Sequence, residues 1–453
     1  MIFAYNPHWS GQPQKWEHYS REVQASVFQY LDERQILCLI GPRRTGKTTL
    51  LRILLSHLIG SGVSPKSVLY FSFDELLGAE PDVLDEIIEY YLNQVVRSRG
   101  DRKYIFLDEI QNVDYWQAIL KRHYDILHPD VKFVVTGSSS LWIKRRSRES
   151  LAGRAYDFMV WPLSFREFLA FRGVNVPAPV RPVKFGDIEQ FWRETIGIWE
   201  TIWHEFTRFL LYGGFPELAI GDTSPDKHRN YIWTYVIEKT VLRDLTRYFP
   251  VESPKTLVEM LRILAWQSSK LMTAQNLAQT LNLSPKTISK YLSYLEQGYL
   301  VDFSYNYTKS RAKQVRTSRK VYLTDTGLIT ALAPLSDDVF THPEEVGPLV
   351  ESLIRNHLHR LADCYFWRDE HKNEVDIVVR YPRALLPVEV KFSARLQDRE
   401  LRELRLFMRK QGIEQGVVAT KSLLEDLGDI WAIPAPLFLL LDWRDVEQTV
   451  RKT

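Results

Sequence analysis

The chain has 453 residues, of which 45% are hydrophobic and 25% are charged, and its formal net charge is +3. A chain of this length is too long to fold around one hydrophobic core, so we expect roughly three domains. The nearly neutral charge excludes nucleic-acid binding through overall charge and leaves only a local basic surface for it. The two cysteines, Cys38 and Cys364, are too few for a disulfide framework or a zinc site.

The sequence also bears on location. Its first residues lack the charged and apolar segments of a signal peptide, and no stretch is long enough to span a bilayer. The short apolar stretch Ala435–Asp442 is interpreted as a buried strand. We therefore expect a cytoplasmic protein with no membrane partner.

Apolar runs alternate with helical patterns over the first 160 residues. Helices are predicted at Arg21–Leu31, Lys47–Ile59 and Val83–Val96. Strands are predicted at Gln35–Ile40, Ser67–Phe73, Lys103–Leu107, Val131–Thr136 and Ala155–Trp161. Strands that are apolar along their whole length belong to a parallel sheet covered on both faces. The sequence therefore begins with an α/β domain built on a parallel sheet.

A glycine-rich turn after the first predicted strand matches the phosphate-loop pattern G-x-x-x-x-G-K-[ST] in full. In such a loop, backbone N–H groups surround phosphate oxygens, and the N-terminus of the next helix adds partial positive charge. We expect Lys47 to contact the β- and γ-phosphates of ATP and the Thr48 hydroxyl to bind Mg²⁺. The predicted nucleotide-binding residues are Gly41, Pro42, Arg43, Arg44, Thr45, Gly46, Lys47, Thr48 and Thr49.

Further catalytic groups follow later strands. Asp108 is expected to complete the Mg²⁺ shell, and Glu109 to orient and deprotonate the attacking water. After the fourth strand, Ser138, with Ser139 as second choice, is expected beside the γ-phosphate; a plain serine-rich turn is the alternative. Among the basic residues that follow, Arg154 is the leading candidate to stabilise transition-state charge, in cis or from a neighbouring subunit. The alternative is a solvated basic loop.

The order of these motifs resembles the archaeal and bacterial AAA+ ATPases that carry an uncharacterised C-terminal domain. The resemblance rests on the phosphate loop and on the strings Leu-Asp-Glu-Ile-Gln (107–111), Thr-Gly-Ser-Ser-Ser (136–140), Leu-Ala-Gly-Arg (151–154) and Trp-Pro-Leu-Ser-Phe-Arg-Glu-Phe (161–168). It implies a homo-oligomer, as a ring, with nucleotide between subunits. The implied domains are an AAA+ P-loop core (1–164), a helical lid (165–250), a winged helix (251–334) and a PD-(D/E)xK or restriction-endonuclease-like α/β domain (335–453).

Residues 271–301 have the pattern of a helix-turn-helix. Helices Ala274–Leu281 and Pro285–Gln297 are predicted, and Ser284 is a suitable N-cap for the second helix. The polar face of this second helix carries Lys286 and Lys290 and suits a major groove.

The chain from Lys309 to Lys320 has six cations and no acid, between the strand-like segments Asp302–Tyr307 and Lys320–Leu323. A hairpin with this tip is the wing of a winged helix, and its cations predict contacts with the phosphates of duplex or branched DNA. Protein binding, or mere solvation of the basic loop, stays open. The predicted DNA-binding residues are Lys286, Lys290, Lys309, Arg311, Lys313, Arg316, Arg319 and Lys320.

Two strand-like segments near the C-terminus carry the residues of a PD-(D/E)xK pattern. Asp376 lies in the first, and Glu389 and Lys391 share one face of the second. The acids could hold Mg²⁺ while the lysine polarises water. Glu351, at the start of a predicted helix Glu351–Leu361, is a further candidate ligand. The alternative is a salt-bridged cluster that serves DNA binding or packing.

Three functions remain open at this point. The first is a Mg²⁺-dependent AAA+ ATPase that binds DNA and couples ATP hydrolysis to conformational change. The second is an ATP-gated, metal-dependent DNA nuclease. The third is an ATP-driven regulatory or scaffold switch with a protein partner.

Overall fold

The computed structural model describes residues 2–11, 19–76, 78–96, 101–127, 129–137, 151–308, 319–333, 335, 337–444 and 446. The chain forms two compact units. The first comprises residues 1–161 with 297–299, and the second comprises residues 162–296 with 300–453. Within the described ranges, no helix is long and apolar enough to cross a membrane.

The first unit is built on a five-stranded sheet with the order β2-β3-β4-β1-β5. All four strand pairs are parallel, which confirms the predicted parallel sheet. Its strands are β1 (Ile36–Ile40), β2 (Val68–Ser72), β3 (Lys103–Asp108), β4 (Val131–Gly137) and β5 (Ala155–Met159). Its helices are α1 (Ile2–Tyr5), α2 (Glu22–Gln29), α3 (Lys47–Gly60), α4 (Pro81–Tyr90), which continues as a π-helical segment Tyr91–Val95, and α5 (Trp116–Leu127).

Each face of this sheet has its own hydrophobic core. In β1, Leu37 and Leu39 pack on one side while Cys38 and Ile40 pack on the other. This alternation follows from the two-residue period of a strand. Because both faces of the sheet are covered, only the ends of its apolar strands remain accessible to a ligand. The carboxyl ends of β1, β3 and β4 therefore lie side by side at one edge, where a parallel sheet binds ligands.

The second unit begins with helices. They are α6 (Phe165–Phe171), α7 (Phe185–Thr195), α8 (Trp199–Tyr212), α9 (Pro216–Ala219) and α10 (Pro225–Tyr231), followed by a π-helical segment (Ile232–Leu245) and α11 (Thr246–Tyr248). Their apolar faces join a core that continues through the rest of the unit, from Leu163 to Val446. A helical region at 165–250 was expected, and helices fill most of it.

Three helices and a three-stranded sheet follow. They are α12 (Pro254–Trp266), β6 (Leu271–Met272), α13 (Ala274–Leu281), α14 (Pro285–Gln297), β7 (Val301–Tyr305) and β8 (Arg319–Leu323). The sheet has the order β6-β8-β7, and both strand pairs are antiparallel. Helices α13 and α14 have the predicted bounds, and the winged helix itself stays a prediction.

The last part of the unit is a six-stranded mixed sheet with the order β13-β14-β12-β11-β10-β9. Its elements, after α15 (Thr326–Leu332), are α16 (Pro343–His359), β9 (Asp363–Arg368), β10 (Glu374–Arg380), β11 (Leu385–Lys391), α17 (Arg402–Gln411), β12 (Gly416–Thr420), β13 (Glu425–Asp426), β14 (Ile430–Pro434) and α18 (Ala435–Phe438). Strands β9, β10 and β11 are antiparallel, whereas β11, β12 and β14 are parallel.

Two sequence predictions in this part are wrong. The stretch Ala435–Asp442 is buried but begins as the short helix α18, because Pro434 and Pro436 cannot donate to a strand ladder and suit the first turn of a helix. Helix α16 begins at Pro343 and not at Glu351, because Pro343 occupies the first turn and Pro348 is accommodated inside the helix. Glu351 therefore lies in the middle of α16.

Candidate functional site

The loop between β1 and α3 has a backbone that only particular residues can adopt. Gly41 has φ 147° and Gly46 has φ 91°. A Cβ atom on Gly41 would lie 2.4 Å from the carbonyl oxygen of Val160, so glycine is required where the loop passes β5. The loop ends at Gly46, which precedes the first residue of α3. Backbone N–H groups at this helix N-terminus form the anion-binding end of the loop.

The remaining loop residues occupy the positions that the motif predicts. The ammonium of Lys47 is buried and donates to the carbonyl oxygens of Gly41 (3.0 Å) and Pro42 (2.6 Å). The Thr45 hydroxyl donates to the Pro42 carbonyl oxygen at 3.0 Å and closes the turn. The outer side of the loop and the first turn of α3 are more open, with Arg43 half-buried and Arg44 and Thr49 exposed.

Thr48 and Asp108 meet across the sheet edge. The Thr48 hydroxyl donates to Asp108 Oδ2 at 2.8 Å, and the Tyr70 hydroxyl donates to the same oxygen at 3.0 Å. A hydroxyl at the start of a helix (Thr48) and a carboxylate at the end of a strand (Asp108) are hard oxygen ligands of the kind that Mg²⁺ takes next to phosphates. The residues therefore fit the predicted Mg²⁺ ion, which Thr48 and Asp108 would hold.

The environment of Asp108 favours a bound cation. Burial raises the pKa of its carboxyl, and the nearby charge of Glu109 raises it further, while hydrogen bonds from Thr136, Thr48 and Tyr70 oppose the rise. A buried carboxylate that is costly to ionise gains most from a positive partner. A cation bound beside the loop would therefore stabilise the charged form of Asp108.

Glu109 begins the turn after β3 in an uncommon conformation. Its φ of 52° lies in the left-handed region, which residues other than glycine seldom adopt and which is frequent at functional sites. Its N–H donates to the Thr136 hydroxyl at 2.9 Å, and the buried Gln111 amide donates to its carboxylate. The half-buried carboxylate is thus held at the same edge as Lys47 and Asp108, as a general base requires.

Thr136 is a functional residue that the sequence analysis did not single out. Its fully buried hydroxyl lies between the two acids, because it donates to Asp108 Oδ1 and accepts from the Glu109 N–H. Strand β4 lies between β1 and β3, so its last side chains reach both. The signal was the Thr-Gly-Ser-Ser-Ser string, whose first hydroxyl belongs to the site.

Arg21 is a second such residue. Its buried guanidinium donates to the carbonyl oxygen of Thr45 in the loop at 2.7 Å and to that of Trp161, which follows β5, at 2.8 Å. The planar fork of arginine suits two acceptors at once. Arg21 therefore connects the phosphate loop by hydrogen bonds to Trp161, the last residue of the segment 1–161. No local pattern marks it, because its partners lie 24 and 140 residues away.

Of the predicted catalytic residues Ser138 and Arg154, the structure describes only Arg154. Ser138 and its alternative Ser139 lie outside the described residues, directly after β4. Arg154 precedes β5 beside Ile36, the first residue of β1, whereas the phosphate loop follows the other end of β1. Five residues of strand separate these ends by about 16 Å, and the Arg154 guanidinium instead pairs with Asp125 at 2.8 Å. A role for Arg154 in its own subunit's site is therefore wrong.

Seven of the eight predicted DNA-binding residues fall into three groups. Lys286 and Lys290 are exposed on α14. Lys309, Arg311, Lys313 and Arg316 lie outside the described residues. At the start of β8, the Arg319 guanidinium lies 3.9 Å from the centre of the Phe303 ring and is half-buried.

The structure contradicts the prediction for Lys320. It was predicted to bind DNA, but only 2% of its surface is exposed, and its ammonium contacts three carboxylates. A lysine whose charge is enclosed and paired cannot bind the phosphates of DNA. Although burial by itself lowers the pKa of Lys320, the surrounding acids, led by Glu351, raise it well above its ordinary value. Lys320 is therefore a charged interior residue.

The predicted C-terminal metal ligands also need correction. Glu351, Asp376 and Glu389 do lie together, but ammonium groups lie among them: Lys320 is 3.0 Å from Glu351 and 3.4 Å from Asp376, and Lys391 is 2.7 Å from Glu389. In the part of the chain that the structure describes, no group of three or more such ligands has the geometry to hold a metal ion. The residues do not fit the Mg²⁺ ion that the nuclease pattern implies.

Comparison with known protein families divides the chain into three segments. Residues 33–169 match the model of an AAA domain. Residues 204–339 and 346–438 match two models that are each described as a domain of unknown function (DUF8612 and DUF4143).

Relatives that match most of this chain occur in archaea and bacteria. An uncharacterized protein of Methanocaldococcus jannaschii is 26% identical over 423 residues, which are 90% of this chain and 85% of that protein. An uncharacterized protein of Haemophilus influenzae is 26% identical over 373 residues, 81% of this chain and 85% of its own length. One of Mycobacterium tuberculosis is 24% identical over 366 residues, 79% and 70% of the two chains.

Two solved structures share a weaker likeness. PCH-2 from C. elegans is 15% identical, with a TM-score of 0.25 over 34% of this chain and 46% of its own. A Signal Transduction ATPase with Numerous Domains and a tetratricopeptide repeat sensor, from Pyrococcus horikoshii, is 12% identical, with a TM-score of 0.24 over 77% and 50%. Scores this low carry no argument about function. The family match and the loop geometry agree, and the chain carries an AAA-type ATPase domain followed by two domains of unknown function.

Proposed function

We propose that this chain is a Mg²⁺-dependent ATPase whose hydrolysis cycle acts on a second, DNA-binding unit. The observation that carries the ATPase proposal is the meeting of three strand ends. There, Lys47 follows the glycine-containing phosphate loop, and the Thr48 hydroxyl contacts Asp108. A hydrogen bond to Thr136 holds the backbone of Glu109 beside them. A phosphate cradle, an oxygen pair for Mg²⁺ and a base at one edge are the parts that ATP hydrolysis needs.

Each side chain has a defined task in this proposal. The loop amides and Lys47 bind the phosphate chain and neutralise its charge, and Thr48 and Asp108 hold the ion. When bound, Mg²⁺ supplies positive charge to the phosphate oxygens. Glu109 accepts a proton from the attacking water. Thr136 and Gln111 hold the backbone and the carboxylate of Glu109 in position.

Steady-state ATP hydrolysis tests this proposal. Wild-type protein should hydrolyse ATP with Mg²⁺ and lose activity when EDTA removes the ion. Lys47→Ala should abolish both hydrolysis and tight ATP binding. Lys66→Ala is a matched control, because this exposed lysine precedes β2 at the opposite edge of the sheet. Equal activity of wild type and Lys47→Ala would refute the proposal.

The DNA-binding part of the proposal is supported by the exposed lysines of α14. Lys286 and Lys290 lie four residues apart, on one face of the second helix of a helix-turn-helix arrangement. Lys286→Glu with Lys290→Glu should weaken DNA binding and lower the salt dependence of log K by about 0.9 for each phosphate that the variant no longer neutralises. Lys255→Glu, at an exposed site on α12, should bind like wild type. Equal binding by all three proteins would contradict this part.

We also propose a ring in which Arg154 acts on the neighbouring subunit's nucleotide. Its position at the far edge of its own sheet supports action in trans over action in cis. Lys47→Ala subunits and Arg154→Ala subunits should each be inactive alone. Mixing them should restore part of the ATPase activity, because some interfaces then combine an intact loop with an intact arginine. Failure to recover activity in an assembled mixture would refute action in trans.

The two other functions stand differently. A metal-dependent nuclease is disfavoured, because the ammonium of Lys320 contacts two of the acids that would bind its metal. A regulatory switch with a protein partner stays a hypothesis. An ATPase rate that DNA leaves unchanged, together with unimpaired DNA binding by the α14 variants, would favour the switch.

A further inference from the structure

Four carboxylates converge near the junction of the three-stranded and six-stranded sheets of the second unit, and we call them the acid cluster: Glu351, Glu374, Asp376 and Glu389. The ammonium of Lys320 is 2.8 Å from Glu374, 3.0 Å from Glu351 and 3.4 Å from Asp376. An ammonium has three donors, and here each faces a different carboxylate.

Most of the remaining oxygens of the acid cluster also have partners. Lys391 is 2.7 Å from Glu389 Oε1, and the Asp376 N–H donates to Glu389 Oε2 at 3.4 Å. Asp376 Oδ2 accepts from the Val390 N–H at 3.1 Å. The Tyr322 hydroxyl donates to Glu351 Oε1 at 2.7 Å, and Arg368 is 2.8 Å from Glu374 Oε2. Protein cations and N–H or O–H donors therefore use most of the oxygens that a divalent ion would need.

Lys320 comes from a different part of the unit than the acids do. It lies in β8, the central strand of the three-stranded sheet, and pairs with Leu271 of β6 and Ser304 of β7. The acids belong to α16, β10 and β11. Since β8 has a partner strand on each side, its backbone cannot leave the sheet without breaking both ladders. The paired strand β8 thus holds Lys320 in place at the acid cluster.

A second buried ion pair joins the same two parts. Arg355 of α16 is 2.6 Å from Asp302 of β7, and His359 is 2.9 Å from the same carboxylate. Beyond β7, the Tyr307 N–H donates to the Phe366 carbonyl oxygen of β9 at 2.6 Å. The strand hairpin and the C-terminal sheet are therefore held together by two charged contacts and by backbone pairing.

We propose that Lys320 is a resident cation that takes the place of a divalent metal in the acid cluster. The nuclease-like set Asp376, Glu389 and Lys391 then binds no Mg²⁺ and cleaves no DNA. Instead, the acid cluster attaches the hairpin of β7 and β8 to the C-terminal sheet. A divalent ion entering the acid cluster would meet a buried ammonium, and the repulsion between cations at contact distance in the interior opposes its binding.

The test is a count of bound Mn²⁺ ions on the full-length chain, without nucleotide, by the electron paramagnetic resonance signal of free Mn²⁺. Wild type and Asp376→Asn should bind the same number of ions, because the acid cluster holds none. Lys320→Met, which keeps the side-chain length and removes the charge, should gain one ion. The double variant Lys320→Met/Asp376→Asn should lose it again. Lys410→Met is the matched control, since Lys410 pairs with Asp369 near the surface and should gain no ion.

Two results would overturn the proposal. One is a Mn²⁺ ion that wild type binds and Asp376→Asn loses, because the acid cluster would then hold metal beside Lys320. The other is a folded Lys320→Met protein that gains no ion. Should Lys320→Met fail to fold, the comparison of wild type with Asp376→Asn still decides. A parallel incubation of DNA with Mg²⁺ or Mn²⁺ and ATP should leave it intact, and cleavage by wild type that Asp376→Asn abolishes would equally contradict the proposal.

Discussion

Replacing Thr136 by valine removes one hydroxyl from the interior and leaves the side-chain volume almost unchanged. The Glu109 N–H then loses its acceptor at 2.9 Å, and Asp108 loses a hydroxyl donor. An unsatisfied buried donor costs about 1–3 kcal/mol, and a broken hydrogen bond to a carboxylate costs a similar amount. We therefore expect the free energy of unfolding of the first unit to fall by about 2–4 kcal/mol. For a unit of this size, that lowers its melting temperature by about 5–15 °C.

The catalytic effect of Thr136→Val should be specific. Glu109 would no longer be fixed in its left-handed conformation, and a small misplacement of a catalytic group can cost about 10²-fold in rate. We expect kcat for ATP hydrolysis to fall by that order, with ATP affinity close to wild type because the phosphate loop is unchanged. Thr136→Ser keeps the hydroxyl and should retain most of the activity. A Thr136→Val enzyme with wild-type kcat, or a Thr136→Ser enzyme as slow as Thr136→Val, would refute the reasoning.

Two further predictions concern Arg21 and Asp302. Arg21→Ala should raise the KM for ATP about tenfold or more, because hydrogen bonds from a charged group are worth about 1.5–3 kcal/mol each. Arg21→Lys should restore little, because one ammonium does not replace the two hydrogen bonds of the guanidinium to the Thr45 and Trp161 carbonyl oxygens. A wild-type KM in Arg21→Lys would contradict this reasoning. Asp302→Asn should destabilise the second unit by about 3–5 kcal/mol at neutral pH, because it leaves Arg355 buried without its carboxylate. Burial raises the pKa of Asp302, but Arg355 outweighs burial and holds the pKa well below its usual range. The stabilisation is therefore present above the unfolded pKa of about 3.9 and is lost progressively as pH falls from there toward the folded pKa. The difference between variant and wild type in denaturant unfolding should therefore stay nearly constant from about pH 7 to pH 5 and shrink from about pH 4 to pH 2, and a difference that does not shrink below about pH 4 would contradict the assignment.

The parts of the site that the sequence predicted are those with local causes. The phosphate loop needs glycine at positions 41 and 46 for reasons of backbone geometry that hold in any chain, so its pattern is readable from eight residues. The strands of the first sheet are apolar throughout because both faces are covered. Helices α13 and α14 were predicted with their observed bounds, because Thr273 and Ser284 mark their starts.

The parts that escaped prediction depend on distant partners. Lys320 belongs by sequence to a basic segment and by structure to the interior, because acids 31 and 56 residues away enclose its charge. Arg154 was placed near the nucleotide by its motif, but the direction of β5 puts it at the opposite edge of the sheet. The stretch after Pro434 has strand-like composition, yet two prolines start a helix there. In each case the local composition does not reveal the spatial neighbours that decide where the residue lies.

The most direct test of the ATPase proposal is a comparison of ATP binding with ATP turnover in Glu109→Gln. The amide keeps the size of the side chain but cannot accept the proton of the attacking water. We predict that Glu109→Gln binds ATP with Mg²⁺ as tightly as wild type while kcat falls by about 10²–10⁴-fold. Hydrolysis at the wild-type rate by Glu109→Gln, or wild-type protein that does not bind ATP in the presence of Mg²⁺, would contradict the account.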